Sequence, residues 1–431
     1  MLKFPKYFLA IFLMVGSILG AQQTQQAQQG LQVSPPGDTE LITPVNLQPL
    51  DLEELARKKG LSSESPARNI VILSGFGLIE DAAAIFRSTG IKKPQIDEME
   101  NFALVLPRFI GANEHSQVVR LADLLVGNGR AVGLVSDSNF KCASACEFMK
   151  IQTEKLFERS RMALTLGNFK NEEDRDETVK RFCRRNIEYA RNRKDLNRLF
   201  SAKADKIVGA FDRNLNLVKE DQTQPFFDEL VTACLSRLSV AENGFVLLIG
   251  AGAAEQAAVE GRYFDMIEHL RIQEKVLHQI NYFVSGRKDT LVLLIQDSGK
   301  MRWEYGKDFN LSSFVTDLKL LENAMKSDDI YKHLFEIAHK DSLLLKNVDA
   351  TRIKELVGAG DKLALYNYLQ DCLKRGYDSS AQFSGSETRL PGFAVFSRGL
   401  GSELFRGMVT FEDFVNYLSL ISGVRSNSDQ E

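Results

Sequence analysis

The chain has 431 residues, a net charge of −3 and 44% hydrophobic residues. That length suits one large α/β domain with insertions, or two to three smaller ones. The balanced charge excludes the global basic field that draws nucleic acid, and the ordinary apolar content excludes a fibrous or wholly disordered chain.

Lys3 and Lys6 precede an apolar stretch from Tyr7 to Leu19, followed by the small residues Gly20 and Ala21. The stretch is too short for a comfortable membrane span, so residues 1–21 read as a cleaved signal peptide, with an uncleaved anchor as the alternative. No cysteine follows the apolar stretch, which argues against a lipoprotein. Residues 22–66 are rich in Gln, Pro and Thr, most strongly to about residue 48, and predict a flexible tether.

A strand is predicted at Ile70–Leu73, a helix at Ile79–Ser88, a strand from Phe102 to Pro107, a helix at Val118–Gly127 and a strand at Ala131–Ser136. Residues 147–225 are charged and read as helical. They contain the acidic run 172–177 and the basic run 180–185, a pattern of solvated helix faces. Helices follow at Phe226–Leu238 and Tyr263–Val284, with strand-like runs at Gly244–Gly252 and Asp289–Asp297. Residues 311–380 read as a second helical insertion before a strand at Phe393–Phe396, and 425–431 as a disordered tail. Such alternation predicts a mostly parallel, doubly wound sheet covered by helices on both faces, a three-layer α/β sandwich. The five cysteines, Cys142, Cys146, Cys183, Cys234 and Cys372, make no zinc pattern and read as buried thiols, at least one of them unpaired within the chain.

Two glycine turns, Gly75-Phe-Gly77 and Gly250-Ala-Gly252, each followed three residues on by a glutamate, suggest a dinucleotide fingerprint. Glu80 and Glu255 occupy its third position, where only a small residue permits close packing. The ribose-binding acid that should end a second strand would fall, after Gly250, inside the Tyr263–Val284 helix. Glycines that turn a tight strand end are the better account.

Several blocks follow one another in a recognisable order: Asn69 to Ile79, Gly129-Arg-Ala-Val-Gly-Leu-Val-Ser-Asp137, Lys141-Cys-Ala-Ser-Ala-Cys-Glu-Phe148, Gly244 to Val259, Asp289 to Ser298, Thr388 to Gly399, and Gly401-Ser-Glu-Leu-Phe-Arg-Gly407. This series resembles the alkaline phosphatase family, from Asn69 to about Val424. The resemblance implies that family's fold over 67–424. It also implies a site at which the family's metal-binding side chains have been replaced. The bridging aspartate falls on Phe76, and the magnesium-side threonine and its neighbour on Ser144 and Cys142. A glutamate ligand falls on Gly250, a zinc aspartate and histidine on Glu255 and Val259, a retained aspartate on Asp297 with its histidine neighbour at Ser298, and the last zinc histidine on Thr388. No Ser or Thr lies between Ile91 and His115, where the nucleophile is sought.

Phosphoryl transfer of this type needs two divalent metals about 4 Å apart and a hydroxyl nucleophile. Asp297 and Glu255 are weak candidate metal ligands. Each also has a plain structural role, as a turn cap at Asp297 and a first-turn helix acid at Glu255, and Ser144 suits a helix N-cap. No cofactor is expected. The function expected is an exported, periplasmic or secreted, catalytically inactive phosphatase-like protein with a binding or assembly role toward an envelope or extracellular partner, with no nucleic acid and no stable membrane span after signal cleavage. The alternative is a divergent zinc- and magnesium-dependent phosphoester hydrolase whose ligands come from other positions.

Overall fold

The computed structural model describes residues 67–74, 95–106, 129–137, 162–169, 187–202, 204–212, 223–254, 262–296, 302–304, 348–380, 382–384 and 393–423, and the single positions 126, 160, 176, 257, 260 and 321. Its strands in chain order are β1 (Asn69–Ser74), β2 (Asn101–Leu106), β3 (Ala131–Ser136), β4 (Ala163–Phe169), β5 (Glu188–Ala190), β6 (Lys206–Asp212), β7 (Phe245–Gly250), β8 (Thr290–Gln296), β9 (Arg302–Glu304), β10 (Gln382–Ser384), β11 (Phe393–Gly399) and β12 (Gly407–Thr410). Ten of them form one sheet in the order β12-β2-β11-β8-β1-β7-β3-β4-β6-β5, while β9 and β10 pair separately. Every pair from β8 to β5 is parallel. The reversed strand is β11, antiparallel to both β8 and β2.

The helices are α1 (Arg193–Ser201), α2 (Phe227–Leu238), α3 (Tyr263–Val284), α4 (Ala350–Gly358), α5 (Lys362–Ser380) and α6 (Phe411–Ser422). Val71, Leu73, Leu247, Ile249, Val292 and Leu294 join one core cluster with Leu230, Val231 and Cys234 of α2 and Val276, Leu277 and Ile280 of α3. Alternate residues Ile70, Ile72, Val246 and Leu248 point the other way and are also buried. Both faces are therefore covered, which is why these strands read as continuous apolar runs rather than alternating ones. In β11, Phe396 joins the α2–α3 side, whereas Phe393 meets Phe414 of α6 edge-on at 5.6 Å. Helices thus lie on both faces, giving the expected three-layer sandwich. Among the described residues no helix is long and apolar enough to cross a membrane.

The strand at 131–136 and the helix at 263–284 have the predicted limits, and 226–238 is helical from Phe227. The reading of 147–225 as a helical insertion needs correction. β4, β5 and β6 lie inside it and extend the main sheet. β4 and β6 are short, largely apolar runs, such as Ile207-Val-Gly-Ala-Phe211, β5 is only three residues long, and the charge runs of 172–185 dominate any longer window. The segment 311–380 does contain helices α4 and α5. The predicted helices at 79–88 and 118–127 fall outside the described residues, apart from Val126, which is helical.

At the amino-terminal ends of the parallel strands a buried arginine ties the chain together. Arg130 donates from Nη2 to the carbonyls of Ala67 (2.8 Å) and Ser422 (2.7 Å), and from Nε to that of Arg68 (3.3 Å). Burial pushes its guanidinium below the usual range. The Ser422 carbonyl belongs to the last turn of α6, where cations are favoured. Close by, Arg68 Nη2 donates to the carbonyls of Ala241 (3.1 Å) and Glu242 (2.6 Å). Gly244 opens β7 with φ +74°, and a Cβ there would stand 2.0 Å from the Arg68 carbonyl oxygen. Gly133 of β3 lets α2 approach, since a Cβ would lie 2.5 Å from Leu238 Cδ1. Glycines of the motif blocks therefore serve the framework.

Candidate functional site

In a parallel α/β sheet, the carboxyl ends of the strands form the natural site edge, because the connecting loops leave from there. The register brings the relevant ends into one row. Gly250 pairs with Ser74 on one side and with Ser136 on the other, and Ser74 also pairs with Ile295. β11 runs the opposite way, so its start, with Ala394 opposite Gln296, lies at the same edge. Phe76 follows β1, Cys142 and Ser144 follow β3, Glu255 and Val259 follow β7, Asp297 and Ser298 follow β8, and Thr388 precedes β11. The strand ends from which all these positions depart share one edge. Of the residues themselves, Gly250 is described and closes β7; the other eight lie outside the described residues.

Around Gly250 the backbone is held by two buried side chains that the sequence reading does not single out. Asp137, 3% exposed, accepts from the Ala253 amide at Oδ1 (3.0 Å), and its own amide donates to the Gly250 carbonyl (3.1 Å). This carboxylate thus caps the first turn of the helical segment at 253–254, as an N-cap acid does, but from a neighbouring strand. From the other side Gln273 of α3, wholly buried, donates from Nε2 to the Ala251 carbonyl (2.7 Å). The signal for Asp137 lay in its position directly after a strand, where the resembling block carries threonine. Gln273 carried none, because Arg271, Glu274 and Lys275 beside it make it one polar residue among several.

Next to this edge the start of α3 carries an ionic network. Lys374 of α5 reaches Asp265 at 3.0 Å, Arg262 also pairs with Asp265, and Arg262 Nε donates to Glu260 at 2.6 Å. The Lys374 contact ties α5, which lies between β9 and β10, to α3. The two described thiols, Cys234 and Cys372, are buried and free, and burial pushes the Cys234 thiol far up, which makes it a poor nucleophile.

A metal pair needs several oxygen, nitrogen or sulfur donors at this edge. Gly250 offers no side chain, and one oxygen of Asp137 is committed to a backbone amide. Among the described residues, no three His, Cys, Asp or Glu side chains come together as a metal site. The donor set on the described part of the edge does not fit a two-metal centre.

The strand order, the single reversed strand and the row of strand ends at one edge define a three-layer α/β sandwich on a mostly parallel sheet. A family model described as alkaline phosphatase matches residues 152–349. The alkaline phosphatase of Gadus morhua is 27% identical over 154 residues, a match spanning 32% of this chain and 32% of that protein, about a third of its length. Among solved structures, the cold-active alkaline phosphatase of the psychrophile Shewanella sp. superposes with a TM-score of 0.52 at 15% identity, covering 83% of this chain and 100% of that one. Thermus thermophilus alkaline phosphatase gives a TM-score of 0.52 at 16% identity, covering 88% of this chain and 96% of that one. The fold is thus the one these alkaline phosphatases share, and the sequence match to that family lies over residues 152–349.

Proposed function

We propose that this protein is an exported alkaline-phosphatase-like protein that has lost phosphatase chemistry and serves in binding or assembly. The observation that carries this reading is Gly250. It closes β7 on the carboxyl edge, paired with Ser74 and Ser136, and the resemblance of the Gly244 to Val259 block aligns it with a metal-binding glutamate of the family. Without two metals there is no charge clamp for a transferring phosphoryl group, and such electrostatic stabilisation is usually the largest catalytic contribution. The replacements Phe76, Val259, Ser298 and Thr388, and the absence of a hydroxyl between Ile91 and His115, support the same reading from the sequence. The basic start, apolar stretch and small residues of 1–21 support export.

The test is hydrolysis of an aryl phosphate by the purified full chain with zinc and magnesium supplied, alongside elemental analysis. The expected results are turnover at background and no stoichiometric zinc, with Asp297→Ala altering stability at most. Turnover that disappears in Asp297→Ala would instead establish the divergent hydrolase.

A further inference from the structure

Away from the strand-end edge, a carboxylate in the middle of α3 closes on a short turn. Glu274 is 6% exposed, and its Oε1 accepts from the Gln95 amide at 2.7 Å. Gln95 begins the 3-10 turn Gln95–Glu98, which leads into β2. About two helical turns further along α3, Asn281 Nδ2 donates to the Gln95 carbonyl (3.1 Å) and to its side-chain Oε1 (3.2 Å). Two side chains of one helix therefore grip both backbone polar groups of Gln95. The second Glu274 oxygen, Oε2, is buried and accepts no hydrogen bond from the protein.

The charges around this carboxylate offer it little help. On the turn, Asp97 faces it with like charge. On α3, Arg271 is engaged with Glu268 at 3.0 Å, and Lys275 acts on Asp228 of α2. Exposed His278 stands one turn further along. Among the described residues no cation is paired with Glu274. A buried carboxylate with one satisfied oxygen, one unsatisfied oxygen and an acidic neighbour is more stable with a proton bound.

We infer that Glu274, Asn281 and Gln95 form a proton-controlled latch, in which proton loss from Glu274 loosens the hold of α3 on the 95–98 turn and on the entry to β2. Glu274 is pushed up to about 7 by burial, with Asp97 adding to the rise, so the control falls near neutrality. The sign follows from linkage. The closed latch holds the proton more tightly than the open one, in which Glu274 is solvated. Raising the pH from the ordinary glutamate range toward 7 therefore favours opening, and above that value the effect levels off.

The experiment is hydrogen exchange of the full chain from pH 5 to pH 8, corrected for intrinsic exchange rates and read on the amides of 95–100. Protection in the unaltered protein should fall by roughly ten- to thirtyfold across that range, then flatten. In Glu274→Gln, whose amide can still accept from Gln95, protection should be independent of pH. Asp97→Asn, at an exposed position, should move the midpoint to lower pH without abolishing it. The same pH dependence in Glu274→Gln as in the unaltered protein would overturn the latch, as would a Glu274 carboxyl carbon that titrates below pH 5 by NMR. The latch does not rest on the reading of the site as inactive, and either can fail alone.

Discussion

The two ends of the parallel strands differ in what their polar groups do. At the amino-terminal end, Arg130 and Arg68 supply five hydrogen bonds to backbone carbonyls, and Gly244 holds a backbone conformation that other residues resist. At the carboxyl end, Gly250 closes β7 without a side chain, and the polar side chains Asp137 and Gln273 each hold backbone beside it, at Ala253 and Ala251. The comparison teaches that the framework and the chemistry of this fold are separable. The contacts that close the sandwich sit at one end of the strands, while the loops that can carry chemistry leave from the other.

Substitutions at each end would test that separation. The largest effect is expected for Gly244→Ala, which places a methyl group against the Arg68 carbonyl and strains a positive φ; a loss of about 4 kcal/mol or more should appear as a lower midpoint in urea denaturation. Arg130→Met leaves the carbonyls of Ala67, Arg68 and Ser422 without this donor and should cost about 3 kcal/mol by the same measurement. If these two variants proved neutral, the amino-terminal end would not be the anchor of the fold.

A smaller effect should depend on pH. Glu274 is raised in the folded state to about 7, so the folded chain binds its proton more tightly than the unfolded chain does. Its contribution is present below the unfolded value and is lost as pH rises toward the folded one. From pH 5 to pH 8 the unaltered protein should lose about 1–2 kcal/mol that Glu274→Gln retains, after discounting for solvent screening. The smallest expected change is at the carboxyl end. Asp137→Ala removes a cap on the Ala253 amide and should lower stability by about 1 kcal/mol. A loss as large as that of Arg130→Met would show that both ends carry the fold equally.

The central strands and α3 were legible because each is a long run of one character between clear stops: Ile70–Leu73 is wholly apolar and ends at glycines, and α3 keeps its amphipathic period over 22 residues. β4 and β6 were not, because seven-residue strands disappear beside the charged runs of 172–185. The row of strand ends could be read from motif order alone. The roles of Asp137 and Gln273 could not, since each acts on backbone more than 20 positions away in sequence, a relation that only the folded register creates.

The small pair β9–β10 has a consequence of its own. Trp303 lies opposite Phe383, so the chain leaves the sheet after β8 and comes back to it before β11 through neighbouring strands about 5 Å apart. Loop-closure entropy grows only slowly with length, so what is spliced between such a pair can lengthen, shorten or be exchanged at little thermodynamic cost to the sheet. The junction acts as a graft point: a lineage could fit different helical cargo there, tethered to the body by a contact such as Lys374 to Asp265, and inherit the sandwich unchanged.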